Sequence, residues 1–395
     1  MGGEPLPVAP PVGPAAEPAV SVRRVLLVTT SFAPEVGGVE THLVELVGEL
    51  QRRGVEVAVL RQDELPLGRA RDDHGALAEP RGVRVHRARR RAFWRAMRQL
   101  TDPRGPEVPD VVHVHDYSRP LLLQAVGSCR GRPLVFTPHG GLLSPPERAR
   151  RGDRLVMAAF DRFVAARILG RVRCVVALTE EQRQAICDGY GVAPERVVVL
   201  PNMVPSDARV VGAASRGSSG RFLAVARLAA QKRLGDLVAA VEAHPDLPGC
   251  DIAGPDGDQA AEVREAVRRS APGRVRLLGP VVGRERLDLM RQALALVLPS
   301  AWEGQSITAL EAIAQGTPVI ASESGSHGLP ASAVLTYPTG DVEALAERMK
   351  EACDASGREA LRRGVDEASG LLPSVGTHVD ALLSLYRSVL EEPGT

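Results

Sequence analysis

The chain has 395 residues, of which 44% are apolar and 25% charged, and its formal net charge is +1. This length exceeds one ordinary core and predicts two domains, while the near-zero charge gives no global indication of nucleic-acid binding. The five cysteines are scattered without a CxxC spacing, which argues against a zinc site or a disulfide framework and favours a reducing cytoplasm. The apolar runs are shorter than the roughly 20 residues that a membrane span needs.

The first half of the chain predicts a parallel sheet. Residues 1–21 are rich in proline and alanine and predict a disordered leader. Short apolar strands then alternate with helices, a pattern typical of a doubly wound α/β sheet, and the first helix is expected to stop at Gly54. An arginine-rich helix is predicted from about Glu147 to Leu169. The predicted strands are RRVLLVTTSF, VEVAVL, VPDVVHVHD, RPLVFTPHGG, the start of VRCVVALTEE, and RVVVLPNMV.

A basic tract covers residues 81–100 and carries Phe93, Met97 and Leu100 at helical spacing. A helix with one apolar edge and arginines around it can lie on an anionic membrane. Packing of that edge on its own domain is the simpler interpretation. Nucleic-acid binding has no matching module and is disfavoured.

The second half repeats the pattern after a Gly/Ser-rich linker at Gly212–Gly220, so the two halves predict two α/β domains, 22–205 and 206–375. A final helix within 376–395 follows the completed second sheet. The predicted strands of this half are RFLAVARL, CDIAGPDGD, RVRLLGPV, ALALVLPS, TPVIAS and SAVLTYPT.

Ligands of such sheets bind beyond the carboxyl ends of the strands, so the loops there are expected to face a common cleft. Helix starts at Gly37-Gly38 and at Gly304–Ser306 expose backbone N–H groups that suit phosphate. The spacing at Gly37-Gly38 is not GxGxxG, which disfavours a nicotinamide cofactor, and a plain tight turn remains the alternative there. Arg227 and Lys232 flank another strand-to-helix turn, where two cations can neutralise a leaving diphosphate.

Histidines end two strands of the first half. His113 and His115 alternate with valine ahead of Asp116, and such an HxH pair could bind a metal. No third convergent ligand is apparent from the sequence, so we expect no metal. His139 precedes two glycines, where backbone can approach a ligand closely, and is expected in the cleft with His115 and Asp116 on the acceptor side.

Two glutamates, Glu303 and Glu311, are separated by seven residues across a predicted helix start. With these residues the sequence resembles the family-four retaining glycosyltransferases (glycosyl transferases group 1), from about Val22 to Leu390. That family has the GT-B fold: α/β, two Rossmann-like doubly wound parallel-sheet domains facing a cleft. The segments that carry the resemblance are PEVGGVETHLVELVGELQRRG, TPHGG, ALTEEQRQAICDGYGVAPERVVVLPNMV, AVARLAAQKRLGDLVAAV and WEGQSITALEAIAQGTPVIAS.

The resemblance implies a nucleotide-diphospho-sugar donor held mainly by the C-terminal domain. Glu303 would contact hydroxyls of the donor sugar and Glu311 the ribose hydroxyls, because carboxylates accept paired hydroxyl hydrogen bonds well. Arg227 and Lys232 would bind the diphosphate, together with Gly37-Gly38. The loop residues Gly304, Gln305 and Ser306 would also contact the donor, and His139 would lie near the anomeric carbon.

The resemblance further implies retention of anomeric configuration without a protein nucleophile, and a last helix that crosses back to the first domain. No cofactor or metal is expected. The acceptor would be a glycan, a lipid-linked molecule or a small metabolite, bound mainly by the N-terminal domain. The location would be cytoplasmic, with peripheral contact to an anionic inner-membrane face through residues 81–100 as a further possibility.

Two segments depart from the family pattern. Gln305 and Ser306 stand where a Phe-Gly pair commonly follows the first glutamate and its glycine. The segment ESGSHGLPAS, which includes Ser326, stands where the family commonly has a Gly-Gly pair followed by an acidic residue. These changes predict an unusual donor-sugar preference. They also leave open a non-catalytic sugar-nucleotide-binding or scaffold protein, and a sugar-nucleotide epimerase of the same fold is the other alternative.

Overall fold

The computed structural model describes residues 21–62, 77–115, 119–129, 131–140, 164–209 and 219–391. Within them the chain forms two parallel sheets, one in each half. The first sheet contains β1 (Arg24–Thr29), β2 (Glu56–Gln62), β3 (Arg84–Ala88), β4 (Val111–His115), β5 (Leu134–Thr137), β6 (Cys174–Ala177) and β7 (Val197–Val199). The second contains β8 (Phe222–Val225), β9 (Cys250–Ala253), β10 (Val275–Gly279), β11 (Leu296–Leu298), β12 (Val319–Ser322) and β13 (Val334–Tyr337).

Helices connect the strands of both sheets. Those of the first half are α1 (Gly38–Arg52), α2 (Phe93–Leu100), α3 (Arg119–Ser128), α4 (Ala166–Leu169) and α5 (Glu180–Tyr190). Those that follow are α6 (Leu234–Ala243), α7 (Ala260–Arg269), α8 (Gly283–Gln292), α9 (Ile307–Ala314), α10 (Val342–Cys353), α11 (Ala355–Ser369) and α12 (Val375–Glu391).

Both sheets have the same winding. The first is ordered β3-β2-β1-β4-β5-β6-β7 and the second β10-β9-β8-β11-β12-β13. Counted from its own first strand, each contains the Rossmann order 3-2-1-4-5-6, and the first sheet has a seventh strand beyond it. The strand order reverses between β1 and β4 in one sheet and between β8 and β11 in the other, and ligands of such sheets bind at these switch points. The predicted pair of Rossmann-like domains is confirmed.

Apolar side chains cover both faces of each sheet, which explains why the strands read as short apolar runs. The last helix, α12, belongs to the first domain's core although it follows the second sheet. Its Val379 and Tyr386 are buried in the cluster that also contains Leu27 and Leu46. The chain therefore returns to the first domain at its end.

The sequence missed one strand. Residues 84–88 lie in the basic tract, yet they form β3, which pairs with β2 at the sheet edge. Edge strands tolerate charged side chains, so this strand lacks the continuous apolar run by which the other strands were predicted.

The apolar edge of the basic tract packs inward. Phe93 and Met97 are fully buried in the core on one face of the first sheet, and Leu100 packs against it. This edge therefore packs on its own domain, as the simpler interpretation expects. Trp94 stays 41% exposed beneath the guanidinium groups of Arg95 and Arg98.

Several predictions fall on residues outside the described ranges: the leader, Asp116, most of the arginine-rich helix, and most of the Gly/Ser-rich linker. Among the helices that the structure describes, none is long and apolar enough to cross a membrane.

Candidate active site

The carboxyl ends of the two sheets face each other at close range. A Cβ atom on Gly304 would lie 1.7 Å from the carbonyl oxygen of His139, and one on Gly38 would lie 3.7 Å from Cδ1 of Ile307. The loop after β5 thus contacts the loop that leads into α9, and the start of α1 lies near the first residue of α9. Only glycine fits at position 304 with the domains in this arrangement.

A cation and a carboxylate meet at the switch point of the second sheet. Lys232 ends a 3-10 turn, Ala230–Lys232, that follows β8, and Glu303 follows β11. Because β8 and β11 are neighbours, their loops bring Lys232 Nζ to 2.5 Å from Glu303 Oε1. Ser300 Oγ donates to the same oxygen at 2.6 Å. The predicted diphosphate and sugar contacts therefore lie side by side.

The turn that carries Arg227 is held by close backbone packing. A Cβ atom on Gly254 would lie 2.0 Å from the carbonyl oxygen of Ala226, and the Ala230 N–H donates to Asp258 Oδ1 at 2.9 Å. Within the described residues, the half-buried Arg227 guanidinium has no hydrogen bond or ion pair. It is a cation available for an anionic ligand.

A pocket opens beside this turn, and sequence reasoning did not find it. Its lining combines the ends of β9 and β10 with the residue that follows Arg227: Leu228, Ile252, Gly254, Asp256, Leu278 and Pro280. Its apolar side chains, its polar rim at Asp256 and Arg264 and its position next to Arg227 suit a flat organic group attached to a phosphate.

The second glutamate of the motif is enclosed. Glu311 on α9 has no exposed surface and forms an ion pair with Arg286 of α8. Its Oε1 is buried without a hydrogen-bond partner in the described structure. Burial raises the pKa of this carboxyl group, against the opposing effect of Arg286. Arg286 carries no sequence signal, since it is one of many helical arginines.

Gln305 and Ser306 use their side chains inside the protein. Gln305 Oε1 accepts the Asn202 N–H at 2.6 Å, and its Nε2 donates to the Gly328 carbonyl at 2.8 Å. Ser306 is the N-cap of α9, its Oγ accepting the Ala309 N–H at 3.3 Å. In this conformation both side chains support the loop, and donor-sugar selection by them stays a prediction.

The glycine pair of the first domain lies against a carboxylate. Glu40 in the first turn of α1 is buried and accepts a hydrogen bond from Ser31 Oγ. A Cβ atom on Gly37 would lie 2.3 Å from Glu40 Oε2. Glu40 thus places an anion at the helix start predicted to favour phosphate.

Buried histidines fill the first domain's side of the cleft. His115 ends β4 and His139 follows β5, and the neighbouring strands bring His115 Nδ1 to 2.9 Å from His139 Nε2. His42 of α1 lies edge-on to His139 with ring centroids 5.0 Å apart. His378 of α12 lies edge-on to His42 at 5.2 Å.

Burial keeps these rings uncharged at neutral pH. It lowers the pKa of His139 to about 3 and that of His378 to about 4. The pKa values of His42, His113 and His115 also lie well below the usual histidine value, chiefly because of burial. The histidines therefore add no positive charge to the first domain's side of the cleft.

Two residues other than glycine have left-handed backbones in the described chain, one two residues after β5 and one at the N-cap of α6. His139 has φ 51° and Arg233, next to Lys232, has φ 46°. Such conformations are costly for side-chain-bearing residues and are common at functional sites.

Two facing Rossmann-like domains, with a cation–carboxylate pair at the switch point of the second sheet, have the architecture of GT-B glycosyltransferases. Sequence profiles extend this assignment: Glycosyltransferase Family 4 matches residues 36–208, and Glycosyl transferases group 1 matches residues 219–355. The chain belongs to glycosyltransferase family 4, and its resemblance to that family is confirmed.

Curated relatives span most of the chain. The 2-deoxystreptamine N-acetyl-D-glucosaminyltransferase of Streptomyces fradiae is 31% identical, over 78% of this chain and 81% of its own length. A glycogen synthase of Mycobacterium tuberculosis is 28% identical, over 84% of this chain and 86% of its own.

Solved structures share the fold. Sucrose-phosphate synthase of Thermosynechococcus elongatus superposes with a TM-score of 0.69 at 19% identity, covering 93% of this chain and 99% of its own. HepE of Anabaena in complex with UDP and glucose gives 0.70 at 16% identity, covering 93% and 100%.

Proposed function

We propose that this chain is a retaining glycosyltransferase that moves a sugar from a nucleotide-diphospho-sugar donor to a hydroxylated acceptor. The observation that carries the proposal is the contact between Lys232 and Glu303 at the switch point of the second sheet. A diphosphate needs a cation and sugar hydroxyls need an acceptor. The site offers both groups within one ligand's reach.

The donor would extend along the carboxyl edge of the second sheet. Arg227 and Lys232 would neutralise the diphosphate, and the base would occupy the pocket beside Leu228. Glu311 would accept hydrogen bonds from the ribose hydroxyls at its unpartnered Oε1. Because Glu311 is fully buried, Arg286 would have to move away from this carboxylate for the ribose to reach it. The HepE structure contains UDP and glucose, which supports a ligand of this class.

Departure of the sugar leaves negative charge on the diphosphate, and the two cations would stabilise that charge in the transition state. They make a metal ion unnecessary for this step. The departing phosphate oxygen would take the acceptor's proton while the acceptor attacks the same face of the sugar. The anomeric configuration is then kept, and His139 lies on the first-domain side of the reacting carbon.

The acceptor would approach from the first domain, where the uncharged rings of His115 and His139 lie. The relatives are named for 2-deoxystreptamine, glycogen and inositol phosphate as their substrates or products. We therefore expect a polyhydroxylated acceptor, a glycan, a lipid-linked sugar or a metabolite. Family membership favours transfer over the epimerase and non-catalytic alternatives. The free cysteines suit a reducing cytoplasm.

The experiment is incubation of the purified protein with UDP-, GDP- and ADP-sugars in the presence of polyol acceptors. Release of nucleoside diphosphate would be followed by phosphorus NMR and the product anomer by proton NMR. We expect one donor class to be consumed and the product to keep the donor's anomeric configuration. Consumption of no donor would contradict the proposed transfer, and an inverted product would contradict the retaining mechanism.

A further inference from the structure

We propose that His42, His115 and His139 form a binding site for a divalent transition-metal ion, with Zn²⁺ as the best-matched ion, and that metal binding inhibits sugar transfer. The site is not needed for the chemistry described above. The inhibitory consequence rests on the proposed function, whereas metal binding does not.

The geometry brings three ligand atoms together. One ring nitrogen from each of the three histidines lies within 4.8 Å of the others. In a tetrahedral zinc site with Zn–N bonds of about 2.05 Å, nitrogens lie about 3.4 Å apart. Side-chain rotations that replace the His115–His139 hydrogen bond would close the set around one ion.

Two of the rings carry unused nitrogens. His42 Nδ1 and His115 Nε2 are buried without a hydrogen-bond partner in the described structure. Buried polar atoms of this kind are uncommon because each one costs stability, and a ligand that accepts their lone pairs removes that cost. The sequence showed His115 and His139 on adjacent strand ends but gave no sign that α1 supplies His42.

The surroundings favour metal ligation by these three rings. The His113 ring lies against the His115 ring, with 3.9 Å between centroids and 37° between planes, and is itself fixed by Tyr386 Oη at 2.6 Å and Thr137 Oγ1 at 2.8 Å. Such outer contacts orient ligands and tune affinity.

Three imidazoles match zinc, copper or nickel better than magnesium or calcium, which prefer oxygen. Binding is a donation of three nitrogen lone pairs and involves no change of oxidation state. A three-histidine site leaves a fourth position for water.

The connection to transfer is His139. Its backbone carbonyl lies against Gly304, in the loop that carries Glu303. Coordination would fix the His139 ring toward His42 and place a dication on the first-domain side, where the acceptor is expected. Both effects oppose productive binding.

Binding can be tested without activity. Untagged protein, treated with chelator and dialysed, would be titrated with Co²⁺ and followed by visible absorption and isothermal calorimetry. We expect one saturable site with a d–d spectrum of low-coordinate nitrogen ligation and no thiolate charge-transfer band. Absence of a saturable site in the wild-type protein, or a thiolate band, would overturn the proposal.

Variants locate the site. Loss of a residue that only supports a metal ligand typically lowers metal affinity by roughly 10- to 100-fold. His42→Ala and His139→Ala remove ligands, so each should lower Co²⁺ affinity by more than that. His86→Ala, on β3 outside the cluster, is the matched control and should bind as the wild type does. Thermal unfolding of each variant shows whether it is folded. Undiminished affinity in a folded His42→Ala protein would overturn the assignment of ligands.

Inhibition is measured separately, on the donor consumed in the transfer assay. Stoichiometric Zn²⁺ should lower turnover in proportion to the occupied fraction, and EDTA should restore it. His42→Ala should resist this inhibition. Metal binding with unchanged turnover would overturn the inhibitory role alone. If the protein consumes no donor but binds Co²⁺ at these histidines, the proposed function fails while the metal site stands.

Discussion

The strand-end surfaces of the two sheets differ in charge although the sheets share one winding. On the first sheet, the buried histidines are uncharged, and Glu40 adds a carboxylate at the start of α1. On the second, Lys232 pairs with Glu303, and Arg227 lies close by without a partner in the described residues. A shared topology sets where ligands bind, while the loop residues decide that one side suits an anionic donor and the other an uncharged acceptor.

The largest effect is expected at the buried ion pair of the charged side. Arg286→Met removes the cation that compensates the fully buried Glu311. We expect a loss of about 3–5 kcal/mol in the free energy of unfolding, because a lone buried charge is strongly destabilising. Urea unfolding measures it.

The control is Arg284→Met in the same helix, whose side chain is 91% exposed. Its effect should be near zero. Equal destabilisation by both changes would mean that helix α8, and not the ion pair, is responsible.

Lys232→Ala tests whether the charged side performs the transfer. Loss of a cation at the leaving diphosphate should reduce kcat by about 100- to 1000-fold. Lys350→Ala is matched, because the chain contains lysine at only these two positions and Lys350 lies outside the cleft, beside His244. Steady-state donor consumption by both variants decides the matter, and wild-type turnover in Lys232→Ala would refute the assignment.

Asp251 tests a charged cluster away from the cleft. It accepts hydrogen bonds from Arg221 and Arg276. Burial raises its pKa, but the two guanidinium groups outweigh burial and lower it overall. A lowered folded-state pKa adds stability that is complete above the unfolded value of about 3.9 and is lost as pH falls through the folded value.

We therefore expect Asp251→Asn to cost about 2 kcal/mol at neutral pH, with the difference from wild type shrinking in acid. Denaturant unfolding at a series of pH values measures this. Asp256→Asn removes an exposed pair with Arg264 and should cost less than about 1 kcal/mol. A pH-independent difference for Asp251→Asn would show that packing, and not charge, is at stake.

The smallest effect concerns Ser306. Because its Oγ caps α9, Ser306→Ala should cost about 1 kcal/mol of stability and leave the ratio of kcat/KM between two donors unchanged. Ser306→Asp keeps a capping oxygen and should recover the stability. A changed ratio of kcat/KM between two donors in Ser306→Ala would instead support selection of the donor sugar by this side chain.

The sequence predicted both sheets because apolar runs of strand length report burial directly, and it missed β3 because an arginine-rich edge strand lacks that signal. It predicted that Arg227, Lys232 and Glu303 share one strand-end region because parallel strands end at one edge. Arg286, the pocket beside Leu228 and the approach of His42 depend on helix packing. No local pattern encodes such contacts between distant segments.

The central claim is that the charged side binds a nucleotide-diphospho-sugar through Lys232. The most direct measurement is the melting temperature of wild type, Lys232→Ala and Lys350→Ala with UDP-, GDP- and ADP-sugars. A ligand at 100 times its Kd adds about 2.7 kcal/mol of stability. The account predicts that at least one donor raises the melting temperature of wild type and Lys350→Ala but not of Lys232→Ala. An equal rise in all three proteins, or none with any donor, would contradict it.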